Sequence, residues 1–156
     1  MNAESGKEGR TVRVSAIQLP PASDDKEANL ETIRRLVAEA GRFEPDFILM
    51  NELATTPYFG GHQDARHLAW AETVPGKSTE VVGEMAKALQ ATILLPLCEQ
   101  AGELYYNSVA VISPEGDLIS GTCPDGTATP CFRKPHLADV EAAGLRESFY
   151  FAPGEG

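Results

Sequence analysis

The residues best placed for chemistry stand where short apolar runs end. Phe47-Ile48-Leu49-Met50 reads as a strand buried in a parallel sheet covered on both faces. It runs into Asn51-Glu52, and the chain then breaks at Pro57 and at Gly60-Gly61. In open α/β sheets, ligands bind just beyond the carboxyl ends of strands. Glu52 therefore stands where a general acid or base would be useful, although position alone equally allows a strand-end carboxylate facing water. Lys134 follows the strand-like Cys131-Phe132-Arg133 and precedes Pro135-His136-Leu137. An ammonium at a strand end, near a buried carboxylate, could hold an oxyanion. Most lysines are exposed, and a loop lysine is the simpler reading.

Other chemistries find less support. Pro75-Gly76-Lys77-Ser78 contains a G-K-S triplet, but a phosphate loop needs a glycine where Ala71 stands. No G-x-G-x-x-G follows the first strand, so no nucleotide cofactor is expected. His62 and His67 lack both the helical spacing of a zinc hydrolase and accompanying paired cysteines. They read as solvated loop residues, and no metal is expected. The three cysteines, Cys98, Cys123 and Cys131, show no C-x-x-C spacing and fit free thiols in a reducing compartment. Cys98 reads as a small buried hydrophobe.

These residues need elements to hold them. Residues 11–19 are rich in β-formers and read as a strand ended by Pro20-Pro21. Asp24, with Glu27 three residues on, is a plausible helix cap. Leu30, Ile33, Leu36, Val37 and Ala40 follow at helical spacing, and Gly41 stops the helix. The strand leading to Glu52 completes a β-α-β unit with a right-handed crossover. Ser78 or Thr79 caps a second helix, with Val81, Val82, Met85, Ala86 and Leu89 on its inner face. Residues 91–98 and 104–113 are strands, and the latter forms a hairpin with Leu118-Ile119-Ser120 across Pro114-Glu115-Gly116-Asp117. Beyond the loop Gly121 to Pro130 and the strand-like 131–133, residues 136–156 read as mostly loop. The order predicts a layered α/β domain with a mixed sheet. Both helices cover one face, and the other lacks a cover.

At 156 residues, one domain is expected, with 11–156 as the domain and 1–10 as a polar, flexible tail. The formal charge of −10 argues against a nucleic-acid or anionic-membrane partner, since both need positive charge at the contact. No run is long and apolar enough to span a bilayer, and the start lacks the apolar middle of a secretion signal, so a cytoplasmic location is expected.

Five segments, taken together, carry a resemblance. They are Asn51-Glu52-Leu53 with Tyr58-Phe59, Val74-Pro75-Gly76, Leu104-Tyr105-Tyr106-Asn107-Ser108, Phe132-Arg133-Lys134-Pro135-His136-Leu137, and Glu147-Ser148-Phe149-Tyr150-Phe151-Ala152-Pro153-Gly154. Their order and spacing closely resemble the nitrilase superfamily of carbon–nitrogen hydrolases, nearest to the N-carbamoyl amine and amino-acid amidohydrolases. The resemblance implies an α-β-β-α sandwich of the nitrilase type, here truncated after roughly half the domain, and assembly into homo-oligomers. It implies a small-molecule amide or N-carbamoyl substrate and no cofactor.

The same resemblance makes Glu52 the general base, Lys134 the oxyanion-holding ammonium and Glu147 the second glutamate that orients the lysine. A thiol needs a base, and a developing oxyanion needs a preorganised donor. Without the resemblance, Glu147 would read as a solvated loop carboxylate. The family nucleophile is a cysteine on a later strand, downstream of the lysine, and none of the three cysteines matches it. Gly121 to Pro130 looks like an insertion relative to the family. The resulting expectation is the N-terminal half of an amidohydrolase, inactive alone. The competing expectation is a non-catalytic scaffold or subunit that pairs with another chain through its open sheet face.

Overall fold

Asp25, rather than Asp24, caps the first helix: its carboxylate accepts the backbone N–H groups of Glu27 and Ala28. The computed structural model describes residues 11–155; the expected tail 1–10 lies outside the described residues. Strand β1 (Val14–Ile17), helix α1 (Lys26–Gly41) and strand β2 (Phe47–Met50) form the expected parallel unit, with Val14 beside Phe47. β1 is shorter than the β-rich run 11–19 because β2 offers only four partners. Helix α2 (Lys77–Leu89) starts from Gly76, with Thr79 Oγ1 accepting the Gly76 N–H at 2.9 Å; neither Ser78 nor Thr79 is the cap residue. Strands β3 (Thr92–Ala101) and β4 (Leu104–Ile112) form a long antiparallel hairpin whose turn uses Gly102 at φ +63°.

The expected return strand at 118–120 shrinks to one bridge, Ile112 with Leu118. The turn before it is pulled onto α2, where the Gly116 and Gly83 backbones pack directly against each other, so the chain peels away from the sheet. The segment 121–130 carries a small hairpin, β5 (Gly121–Thr122) with β6 (Ala128–Thr129). Strand β7 (Phe132–Arg133) then returns to the main sheet beside β4, giving the order β1-β2-β3-β4-β7. Beyond it, β8 (Asp139–Val140) and β9 (Leu145–Arg146) pair, and a short 3-10 turn (Glu147–Phe149) follows.

Both helices lie on one face of the sheet. Leu30, Ile33, Val37, Val82 and Ala86 close over Ile48, Ile93, Leu95, Leu97, Ala110 and Ile112, all buried. Each large side chain there contributes about 1.5–3 kcal/mol of burial. Register puts Val14, Phe47, Pro96, Val109 and Phe132 on the opposite face. That face is uncovered as expected: Val14, Phe47 and Phe132 are 55%, 39% and 58% exposed. At one end it is capped by a second cluster, Leu53, Phe59, Cys98, Tyr150 and Phe151.

Candidate active site

Three of the segments singled out in the sequence converge beside that second cluster. After β2 the chain turns sharply through Leu53, a buried residue at φ +51°. A left-handed conformation costs a leucine about 1–3 kcal/mol. It is held by the burial of Leu53 and by the Ala54 N–H donating to the Pro96 carbonyl at 2.9 Å. The turn presents Glu52 toward β4 and β7. Lys134 follows β7 directly, its backbone N–H donating to the Asn107 carbonyl at 2.8 Å. Glu147 opens the 3-10 turn and is wholly buried.

Lys134 Nζ lies 2.9 Å from Glu52 Oε1 and 3.0 Å from Glu147 Oε1. Its second contact with Glu147, to Oε2, is also 3.0 Å. Burial alone would lower the Lys134 pKa, but the hydrogen bonds it donates to both carboxylates outweigh it and push it upward. The ammonium is therefore kept charged.

The two carboxylates differ in what remains free. Glu147 Oε1 also accepts the Tyr58 hydroxyl at 3.2 Å, and its Oε2 accepts the Ala138 N–H at 2.7 Å. Both its oxygens are occupied at zero exposure. Glu52 is 41% exposed, and its Oε1 takes both Lys134 and the Asn107 amide, the latter at 2.6 Å. Burial, followed by the Glu147 charge, pushes the Tyr58 hydroxyl up to about 12, so it stays a donor. Gly60 leaves room for that tyrosine: a Cβ there would lie 2.6 Å from the Tyr58 hydroxyl oxygen.

Asn107, Tyr58 and the Ala138 N–H were not assigned roles by sequence reasoning. The signal for Asn107 was a buried amide in an apolar strand, which must find a partner. The pair beneath Lys134 was missed too. Successive residues of a strand face opposite ways, so Arg133 points to the helix side while Lys134 points to the site. There Arg133 forks onto Glu99, 2.9 and 2.6 Å, and stacks over Tyr106. Ser108 donates to the same carboxylate at 2.6 Å. The expected end of β3 at Cys98 hid this: the strand continues through Glu99.

Burial alone would raise the Glu99 pKa, but the hydrogen bonds from Arg133 and Ser108 win and hold it below its ordinary value of 4.5. A depressed carboxyl stabilises the fold fully above that value and loses the contribution as pH falls below it. Thermal melts should therefore hold a steady Tm from neutral pH to about 5 and decline below about 4.5, and the decline should be shallower in Glu99→Gln.

Segment 152–154 locks β7 from its far side, with the Gly154 N–H donating to the Lys134 carbonyl at 2.9 Å. A Cβ at Gly154 would fall on the Arg133 carbonyl oxygen. Gly154→Ala should lower stability by about 1–3 kcal/mol in urea titration and displace Lys134.

The remaining candidates sit apart. Cys98 is buried, and its thiol is pushed up to about 12 by burial, with Lys26, Glu72 and Glu99 as its charged neighbours. Cys131 is also buried, is pushed up to about 12 by burial and then by Glu99, and lies on the Arg133 side. Neither thiol has Glu52, Lys134 or Glu147 among the charged groups that act on it, although Cys98 borders the second cluster and pairs with Asn107 in the sheet. Cys123 lies between β5 and β6, on the wall of a cavity of about 600 Å³ that none of the three site residues lines. His62 is exposed as expected, whereas His67 is half-buried, stacked on Trp70 at 4.7 Å and bonded to the Tyr150 hydroxyl at 3.1 Å. Gly76 of the G-K-S triplet is the N-cap of α2.

The carbon-nitrogen hydrolase model matches residues 13–156. The chain belongs to the carbon-nitrogen hydrolase family. It is 32% identical over 154 residues to the N-carbamoylputrescine amidase of Oryza sativa subsp. japonica, covering 98% of this chain and 47% of that protein. It is 30% identical over 151 residues to an omega-amidase of Mus musculus, covering 93% and 49%. A carbon-nitrogen hydrolase from Helicobacter pylori G27 superposes with a TM-score of 0.76 at 22% identity, over 92% of this chain and 44% of that one. This carbon-nitrogen hydrolase chain thus has the nitrilase-type fold and spans about half the length of the curated relatives it matches. Among the described residues, no helix is long and apolar enough to cross a membrane.

Proposed function

We propose that this chain carries the base, the ammonium and the positioning carboxylate of a cysteine-dependent hydrolase acting on small-molecule amide or N-carbamoyl C–N bonds. The observation that carries this reading is the single Lys134 ammonium held between Glu52 and Glu147 at 2.9 and 3.0 Å. Glu52, half open with one oxygen in use, takes the proton from a thiol. The thiolate attacks the carbonyl carbon, and Lys134 balances the tetrahedral oxyanion. Collapse expels the amine, which takes the proton back from Glu52 and leaves a thioester. Glu52 then takes a proton from water as its oxygen attacks the thioester carbon; the C–S bond breaks, the acid leaves, and Glu52 returns the proton to the departing sulfur. Glu147, saturated and buried, orients Lys134 and exchanges no proton.

In this reading the sulfur belongs to a polypeptide segment beyond these 156 residues, and the chain alone is inactive. Support comes from the surroundings of Cys98 and Cys131 and from relatives about twice as long. The site adjoins the uncovered sheet face, where a further layer would bring such a segment. Homo-oligomers are proposed for the complete protein.

The test is to assay the chain on N-carbamoyl and simple amide substrates, alone and joined to the polypeptide encoded beyond Gly156. No turnover alone and turnover when joined is expected. Robust turnover by the 156-residue chain, abolished by serine at Cys98, Cys123 or Cys131, would defeat the reading.

A second reading, a non-catalytic subunit pairing with another chain, draws on the exposed Val14, Phe47 and Phe132. A monodisperse monomer that binds no apolar dye would count against it.

A further inference from the structure

We propose that Asn107 is a positioning residue that decides which oxygen of Glu52 stays free for proton transfer; this rests on the reading of Glu52 as the base. A carboxylate only accepts, so the amide nitrogen of Asn107 must be the atom facing it. That nitrogen donates to Glu52 Oε1 at 2.6 Å, the oxygen Lys134 also contacts at 2.9 Å. Among the described residues, none donates to Oε2. Two donors on one oxygen stop the carboxylate from turning to face the ammonium with both, as Glu147 does. The unoccupied oxygen is the one left to take a proton.

The donor is held for this task. Asn107 is buried, sits in β4 opposite Cys98, and accepts the Lys134 backbone N–H through its own carbonyl at 2.8 Å. One residue thus sets the base by its side chain and the ammonium by its backbone. Because the amide is neutral, it fixes Glu52 without adding a second cation to compete for it.

The decisive experiment is a crystal structure of the chain carrying Asn107→Leu, which keeps the bulk and removes the donor. The expected result is Glu52 turned so that both oxygens meet Lys134 Nζ, with the Lys134–Glu147 contacts unchanged. Asn107→Ser, too short to reach Glu52, serves if the leucine variant does not fold and should give the same rotation. Glu52 keeping Oε1 alone on Lys134 overturns the proposal. So does the collapse of both variants, which would make Asn107 a purely structural residue. In the catalytically complete hydrolase, Asn107→Leu should lower kcat about tenfold or more at unchanged KM. A proportional rise in KM with kcat unchanged would also overturn it. The crystallographic arm needs no turnover: the rotation seen without any activity in the catalytically complete hydrolase would count against the proposed function while leaving Asn107 as the residue that sets the orientation of Glu52.

Discussion

Arg133→Ala is expected to cost the fold about 3–5 kcal/mol, the penalty for leaving one member of a buried ion pair uncompensated. Glu99 is 2% exposed at its side chain, and Arg133 meets it with both a 2.9 Å and a 2.6 Å hydrogen bond. Ser108, the remaining donor at 2.6 Å, cannot neutralise the charge. The loss should appear as a drop in the urea midpoint at pH 7. Removing both charges, with Glu99→Leu added to Arg133→Leu, should recover most of it, because paired ions repay their desolvation poorly. A drop under about 1 kcal/mol in the single variant would mean that water reaches Glu99 and that the pair is no anchor.

The second large effect concerns chemistry. In the catalytically complete hydrolase, Glu52→Gln should lower kcat/KM by about 10²–10⁴-fold, the usual contribution of a positioned general base. The amide keeps the shape of the carboxylate and its contacts with Lys134 and Asn107 but cannot take a proton. The melting temperature should therefore change little, because Glu52 is 41% exposed. Steady-state kinetics beside a thermal melt separates the two readouts. Activity within about threefold of the parent would remove Glu52 from the role of base.

Much of this was visible in the residues. The periodicity of Leu30, Ile33, Val37 and Ala40 gave α1, and the apolar runs gave β2, β3 and β4, because burial on one face imposes a spacing that sequence records. The resemblance of five short segments brought Glu52, Lys134 and Glu147 together, and in the structure Lys134 bonds both carboxylates. The caps lie one to three residues before or after the expected ones, since Asp24 and Asp25, or Gly76, Ser78 and Thr79, offer similar local chemistry and tertiary contacts choose between them. The return strand at 118–120 was overcalled because only the approach of Gly116 to Gly83, distant in sequence, draws that turn off the sheet. Glu99 with Arg133 and Asn107 with Glu52 were illegible for the same reason: each pairing joins residues 34 or 55 positions apart, and no local pattern encodes it.

The alternation at β7 sets a rule for how this gene can change. Arg133 braces the helix side and Lys134 serves the opposite side, so a one-codon insertion or deletion just before Arg133 would swap guanidinium for ammonium in both places at once. The neighbouring excursion from Gly121 to Pro130 pairs only with itself as a strand, so its length can drift without moving either charge. Indels in a family of such sequences should accumulate there and stop abruptly at the brace.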